Sequence, residues 1–424
     1  MKTATTGGLA SASAGLRYGA LGLPLAFVAL PLYVVLPNHY AAQFGVPLAA
    51  LGAVLLGARL LDAFADPLIG RWVDRLFARG ALGVWWAAAI AALALALGFR
   101  ALFFPCVSGS AALLWWCAIG LAFTYLAYSV MSVVHQAWGA RLGGDEGGRA
   151  RVVAWREGAA LVGVLVASVL PSLAGLQVAT LVFAGLLALG LWLLRGAPRP
   201  AVEPGPGGDA ALWLPFEVSA FRRLLAIFVV NGIASAVPAT LVLFFIRDRL
   251  QAPNWEPAFL AAYFAAGAAS IPLWVRAVSR FGLAASWLAG MALAIVTFGW
   301  AATLGAGDTL GFLAVCIASG TALGADLALP GALLAGVIQR AGHGGRSEGA
   351  YFGWWNFATK LNLAIAAGLA LPLLSAIGYE SGARDADALR ALTIGYCLLP
   401  CVLKLFAALL LWVLWLRPPT LEGR

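Results

Sequence analysis

Arg59–Arg75 reads R-L-L-D-A-F-A-D-P-L-I-G-R-W-V-D-R. Two carboxylates, Asp62 and Asp66, lie inside an otherwise apolar run that begins near Val46. Arg59, Asp62 and Asp66 are spaced i, i+3, i+7, which places them on one face of a helix. An ionisable group at membrane depth costs at least ~2.5 kcal/mol on insertion scales, and three on one face cost several times that. Such a cluster persists where it pairs internally or faces an aqueous cavity, so the stretch reads as a coupling-ion or substrate site. The alternative is a structural ion pair between Arg59 and one Asp, which uses only one of the two carboxylates. Further on, Gly70, Asp74, Arg75 and Arg79 are expected to form a short basic turn where the helix leaves the bilayer.

Composition supplies the membrane. The 424 residues are 62% hydrophobic and 11% charged, against about 25% charged in soluble domains. This is a polytopic membrane protein. The net charge of +9 is spread through short loops and forms no single basic patch, so nucleic acid is excluded as a partner. Cys106, Cys117, Cys316, Cys397 and Cys401 lack metal-ligand spacing and read as small core residues. The apolar run from Tyr18 is too long for a cleaved signal sequence and is taken as the first spanning helix.

A spanning helix needs about 20 mainly apolar residues. Twelve runs qualify, at 16–42, 47–72, 83–105, 111–141, 156–174, 176–195, 221–246, 255–277, 282–304, 309–340, 349–378 and 386–416. Pro171 and Gly175 separate the fifth from the sixth. Pro24, Pro31 and Pro37 should bend the first. Basic residues favour alternate loops: Lys2 and Arg17 before the first helix, then Arg71, Arg75 and Arg79, Arg141 to Arg156, Arg195 to Arg223, Arg276 and Arg280, and Arg340 and Arg346. The opposite loops hold Arg100, Arg247, Arg249, Arg384 and Arg390, mostly mixed with acids. The asymmetry puts both termini on the cytoplasmic side of a cell (inner) membrane. A Pro- and Gly-rich linker over 199–219 divides a six-helix bundle at 1–198 from a second at 220–424.

The halves repeat weakly. A shift of 205 residues brings Pro67-Leu68 onto Pro272-Leu273, Val73 onto Val278 and Arg75 onto Arg280. Arg59, Asp62 and Asp66 fall on Phe264, Gly267 and Ile271, so the intramembrane charges do not recur. What recurs reads as scaffold, and what does not reads as chemistry. Such a six-plus-six repeat resembles the major facilitator superfamily, an all-α integral membrane fold of twelve helices in two pseudo-symmetric bundles that moves substrate at the midplane.

Helix direction and rise give depths. Asp62 lies ~4 Å to the cytoplasmic side of its helix midpoint, Lys360 ~5 Å to the same side, Ser129 at a similar level, and Asp326 ~2 Å from its midpoint. All four could reach one central cavity. Lys360, in W-W-N-F-A-T-K-L-N, sits mid-helix with Asn356 one turn away. Snorkelling to the interface is its alternative reading. Lys404 is left open between cavity and structural pair. Asp326 is either a substrate contact or an ion-pair partner. His135 is expected to satisfy a nearby backbone or side-chain group, and His39 is given no role. Trp354, Trp355 and Trp138 are candidates for stacking on a substrate.

At these residues the chain resembles the glycoside-pentoside-hexuronide:cation symporters, the melibiose-carrier branch of the superfamily. The match centres on A-R-L-L-D-A-F-A-D-P-L-I-G, on Asp145, Arg149 and Arg156 in the 4–5 region, and on R-S-E-G-A-Y-F-G-W-W-N-F-A-T-K ending at Lys360. The resemblance implies cation-binding carboxylates at Asp62 and Asp66 with a hydroxyl at Ser129, so that Na⁺ or H⁺ is the coupling ion and no cofactor is needed. Substrate and coupling roles are expected at Arg59, Lys360, Asp326, Asn356, Ser132 and Arg156, and a cytoplasmic gate loop at Gly70, Asp74, Arg75 and Arg149. Two positions depart from the family. The amide ligand of sodium-using members is Ala65 here, which removes an oxygen that a hard cation needs. The family's sugar-binding carboxylates fall on Ala26 and Ser132.

The expected function is therefore cation-coupled symport of a small organic solute, sugar-like or amphipathic, by a monomer in the lipid bilayer. The alternative is a lysolipid or lipid transporter, or a scramblase. A remoter one is a membrane-embedded prenyl-transferring enzyme, which also uses Asp-x-x-x-Asp but generally with a second acidic motif near the interface, absent here.

Overall fold

The computed structural model describes Leu9 and residues 11–201, 211–379, 382–383 and 385–417. Lys2, Arg384 and residues 202–210 of the 199–219 linker fall outside the described residues. The described chain is helical, with no strand. Twelve long helices follow one another: α1 Ala12–Phe44, α2 Leu48–Ala78, α3 Ala81–Phe103, α4 Ser110–Ala140, α5 Glu146–Pro171, α6 Leu173–Arg195, α7 Ser219–Arg249, α8 Pro253–Phe281, α9 Leu283–Ala301, α10 Thr309–Arg340, α11 Glu348–Ala376 and α12 Ala386–Leu416. All but α2 are among 11 that are long and apolar enough to cross a membrane. Helix α2, at 31 residues, is equally long and carries Arg59, Asp62 and Asp66 inside it.

Local sequence sets the breaks. In α1 the helix is interrupted near Val28 and winds into a π-turn over Pro31–Val35, where prolines withhold backbone donors. Asp145 caps α5 by accepting the Gly148 N–H at 2.7 Å, and Asp385 caps α12 by accepting from Ala388 at 2.9 Å. Gly175, at φ 80°, breaks the helical path near the start of α6. Many large apolar side chains point outward, Trp115, Leu173 and Leu310 among them. That is the distribution expected when the surrounding solvent is lipid.

The chain forms two compact units, Met1–Glu217 with Ala335–Phe357, and Val218–Leu334 with Ala358–Arg424. In the first, α4 packs on α2 and α3, and the α5–α6 hairpin packs on α1 and α3. Its core includes Phe27 stacked on Phe183, with Phe99 tilted against Phe183 and Phe103 tilted against Phe99. In the second, α12 packs on α7 and α9, around Phe245, Phe259, Phe312 and Tyr396. The segment 335–357 is the part of the second half that joins the first unit. Its anchor is close backbone contact: a Cβ on Gly70 would collide with the carbonyl of Gly349, and one on Gly349 with that of Gly70.

Candidate functional site

Because α2 packs on α4, the charged face of α2 meets a hydroxyl. Ser129 Oγ donates to Asp62 Oδ1 at 2.6 Å, and both side chains are buried. Asp66, one turn on, is 0% exposed. The Arg59 guanidinium lies 4.3 Å above the Tyr33 ring of α1, and Tyr33 in turn packs against Tyr125 of α4. Two carboxylates, one hydroxyl and one guanidinium thus gather between α1, α2 and α4. The set offers oxygen ligands for a monovalent cation or a carboxylate to carry a proton. Ser132 lies one turn beyond Ser129, where it accepts from Gln136 at 3.2 Å.

The end of α2 differs from the expected basic turn. The helix continues to Ala78, and Asp74 is buried inside the protein. Arg141 Nη2 reaches Asp74 Oδ1 at 2.8 Å and Glu348 Oε2 at 3.0 Å, while its Nη1 donates to the Gly345 carbonyl at 2.7 Å. Asp74 also accepts the backbone N–H of Gly349 at 2.7 Å and of Ala350 at 2.8 Å. These are first-turn donors of α11, which lack partners within their own helix and favour a negative charge. The guanidinium stacks over Phe77 at 4.1 Å. Asp74 is held by donors from three places, so it extends the helix instead of ending it. Gly70 is the point of closest approach to α11, Arg75 is exposed, and Arg149 donates to the Gly144 carbonyl at 2.7 Å and to Gln339 at 3.0 Å. In the sequence Arg141 serves only to set orientation, and Glu348 stands only within the stretch that ends at Lys360. Nothing local in either stretch announces that the two meet.

Other assigned residues go to other partners. Arg156 pairs with its neighbour Glu157 at 2.6 Å. Asn356 is buried in the first unit, and Lys360 is half-buried in the second. Trp138 and Trp354 are corrected from stacking candidates to structural anchors. Trp138 is buried, donates to the Pro198 carbonyl at 3.0 Å and packs on Phe77. Trp354 donates to the Leu212 carbonyl at 2.9 Å and packs on Trp213 and Phe216. Trp355 is buried. His135 Nε2 donates to the Tyr18 carbonyl at 2.8 Å, a nearby backbone partner of the kind expected.

In the second unit, Asp326 of α10 is the ion-pair partner of Lys404 of α12, at 2.7 Å. Asn231 and Ser235 of α7 and Trp287 of α9 complete the cluster. None of these three stood out in the sequence, where they are neutral residues within apolar runs.

Two six-helix sets with charges buried among them define the class: a carrier fold. The model of the family described as MFS/sugar transport protein matches residues 15–417, and the chain belongs to that family. It is a multi-pass membrane transporter and not an enzyme, as the family has it. Two relatives carry the name "Putative sulfoquinovose importer". That of Escherichia coli K12 is 27% identical over 405 residues, covering 88% of this chain and 84% of its own. That of Salmonella typhimurium LT2 is 27% identical over 408 residues, covering 88% and 83%. Among solved structures, a bacterial homologue of the iron transporter ferroportin superposes with TM-score 0.69 at 17% identity, over 93% of this chain and 99% of that one. The E. coli fucose:proton symporter does so with TM-score 0.65 at 12% identity, over 93% and 97%. At these identities the structures speak for the fold alone.

Proposed function

We propose that this protein is a cation-coupled symporter of a sugar or sugar acid, acting as a monomer by alternating access in the cell's inner membrane with both termini cytoplasmic. The observation that carries the reading is the 2.6 Å bond from Ser129 to Asp62, with the fully buried Asp66 one turn away. Asp62 and Asp66 carry the coupling ion, with Ser129 as third oxygen. Two nearby carboxylates disfavour joint ionisation, and a proton or cation relieves the repulsion. The proton is favoured over Na⁺, because Ala65 supplies no oxygen and a hard cation is left short of ligands, whereas a proton needs one carboxylate.

Arg59 faces the substrate, and Lys360 serves as the counter-charge of the empty state. With Ala26 and Ser132 at the positions where the family's sugar-binding acids fall, sugar acids are favoured over neutral galactosides. Sulfoquinovose, named for the relatives, heads the panel to try. The Asp74–Arg141–Glu348 cluster, with Gly70, Arg75 and Arg149 around it, is the gate, held closed by the 2.8 and 3.0 Å ion pairs.

The test is uptake of labelled solute by proteoliposomes under an imposed pH gradient without Na⁺, and under a Na⁺ gradient at equal pH. Accumulation under the pH gradient is expected. Accumulation under the Na⁺ gradient alone would overturn the choice of ion, and accumulation under neither would overturn coupling.

A further inference from the structure

The second unit contains a cavity of about 150 Å³ among α7, α8, α9, α10 and α12. Phe259, Tyr263, Phe264, Phe298, Leu323 and Tyr396 supply most of its wall, and Ser235, Asp326 and Lys404 form its polar end. The polar end is highly ordered. Lys404 Nζ donates to Asn231 Oδ1 at 2.8 Å, to Ser235 Oγ at 3.0 Å and to Asp326 Oδ2 at 2.7 Å. Asp326 Oδ1 accepts from Trp287 Nε1 at 2.9 Å and from Asn231 Nδ2 at 3.1 Å.

Two costly features coincide here. A buried ion pair is commonly no more stabilising than apolar residues of similar volume. A cavity deprives the atoms around it of dispersion partners. Larger side chains at Ala294 or Ala322, which line the space, would remove the second cost. Both features make sense together if the space is filled by a ligand that uses the polar end.

We propose that this cavity binds a small uncharged amphiphile: a planar apolar body about the size of a benzene ring, bearing one hydroxyl group. Size comes from the volume, since an apolar cavity of about 150 Å³ in another protein takes benzene. Shape comes from the aromatic wall, which favours a flat partner. Charge comes from the ion pair. An anion would compete with Asp326 for Lys404, and a cation with Lys404 for Asp326, each at the expense of a 2.7 Å bond. A hydroxyl both donates and accepts. It can insert into the 3.1 Å bond from Ser235 Oγ to Asp326 Oδ2, accepting from Ser235 and donating to Asp326 in its place, while the Lys404–Asp326 pair stays intact. The site is separate from Asp62, Asp66 and Ser129, and it does not depend on the cation assignment.

The experiment titrates p-cresol, toluene and p-toluate into the purified full-length protein, by calorimetry and by thermal unfolding. Variants Ala294→Leu and Ala322→Leu fill the space from two helices, and Ser235→Ala removes the hydroxyl partner. Wild type should bind p-cresol saturably, and toluene about tenfold or more weakly, as the loss of one hydrogen bond to a charged group implies. It should show no saturable binding of p-toluate. Both filling variants should lose at least tenfold in p-cresol affinity while melting as high as wild type. If either filling variant fails to fold, Ser235→Ala should still weaken p-cresol about threefold or more while leaving toluene unchanged, as the loss of one neutral hydrogen bond implies. The proposal is overturned if wild type shows no saturable p-cresol binding, if p-toluate binds as well as p-cresol, or if the folded variants bind p-cresol like wild type.

Discussion

Asp62 and Asp326 are both aspartates deep within helical bundles, yet their surroundings are opposite. Asp326 faces a lysine at 2.7 Å and accepts from two further side chains at Oδ1. Its cluster holds one charge of each sign. Asp62 accepts from a neutral hydroxyl, with a second aspartate one turn away and the nearby guanidinium laid over a tyrosine ring. In a medium that solvates charge poorly, a balanced pair is static, whereas two neighbouring acids disfavour joint ionisation, which is the basis of the proposed cation site. The repeat sharpens the contrast. Arg59 corresponds to Phe264, a wall of the apolar cavity in the second unit. Equivalent places in the two units thus hold different chemistry.

Substitutions can break the contrast. Arg141→Gln should have the largest effect on stability. It leaves Asp74 and Glu348 buried together without their shared counter-ion, at a cost of about 3–5 kcal/mol, measured by thermal unfolding in detergent. Lys404→Met should cost a similar amount or slightly less, about 3 kcal/mol, by stranding Asp326. Adding Asp326→Leu should recover most of it, since an apolar pair of similar volume is commonly as stable as the ion pair. No recovery in the double variant would show that Asn231, Ser235 and Trp287 depend on the pair. Gly70→Ala should cost about 1–3 kcal/mol, because its Cβ meets the Gly349 carbonyl and one backbone must move. Lys360→Gln should leave melting near wild type and weaken the ion dependence of uptake severalfold. Wild-type coupling in that variant would mark Lys360 as a residue that only snorkels.

The fold was legible because spanning helices announce themselves by length and apolarity. The breaks were legible where Pro or Gly makes them, as at Gly175. The end of α2 was misjudged near residue 72, since Asp74 reads as a solvated charge until Arg141 and the α11 N-terminus are seen around it. Those partners lie 67 and 275 residues away, and no local pattern signals such a meeting. Ser129 was found from its depth, because a helix with known direction fixes height well. Depth says little about azimuth, which is why Lys404 stayed unassigned. Its partners, Asn231 and Ser235, lie one turn apart on α7 and come into register only through packing.

The claim that Asp62 and Asp66 carry the coupling ion is tested most directly by Asp62→Asn and Asp66→Asn in proteoliposomes. Concentrative uptake and equilibrium counterflow of the same labelled solute are measured side by side. The account predicts that each variant loses concentrative uptake, down to the level of protein-free vesicles, while counterflow persists. If both variants concentrate solute as wild type does, the coupling ion is carried elsewhere.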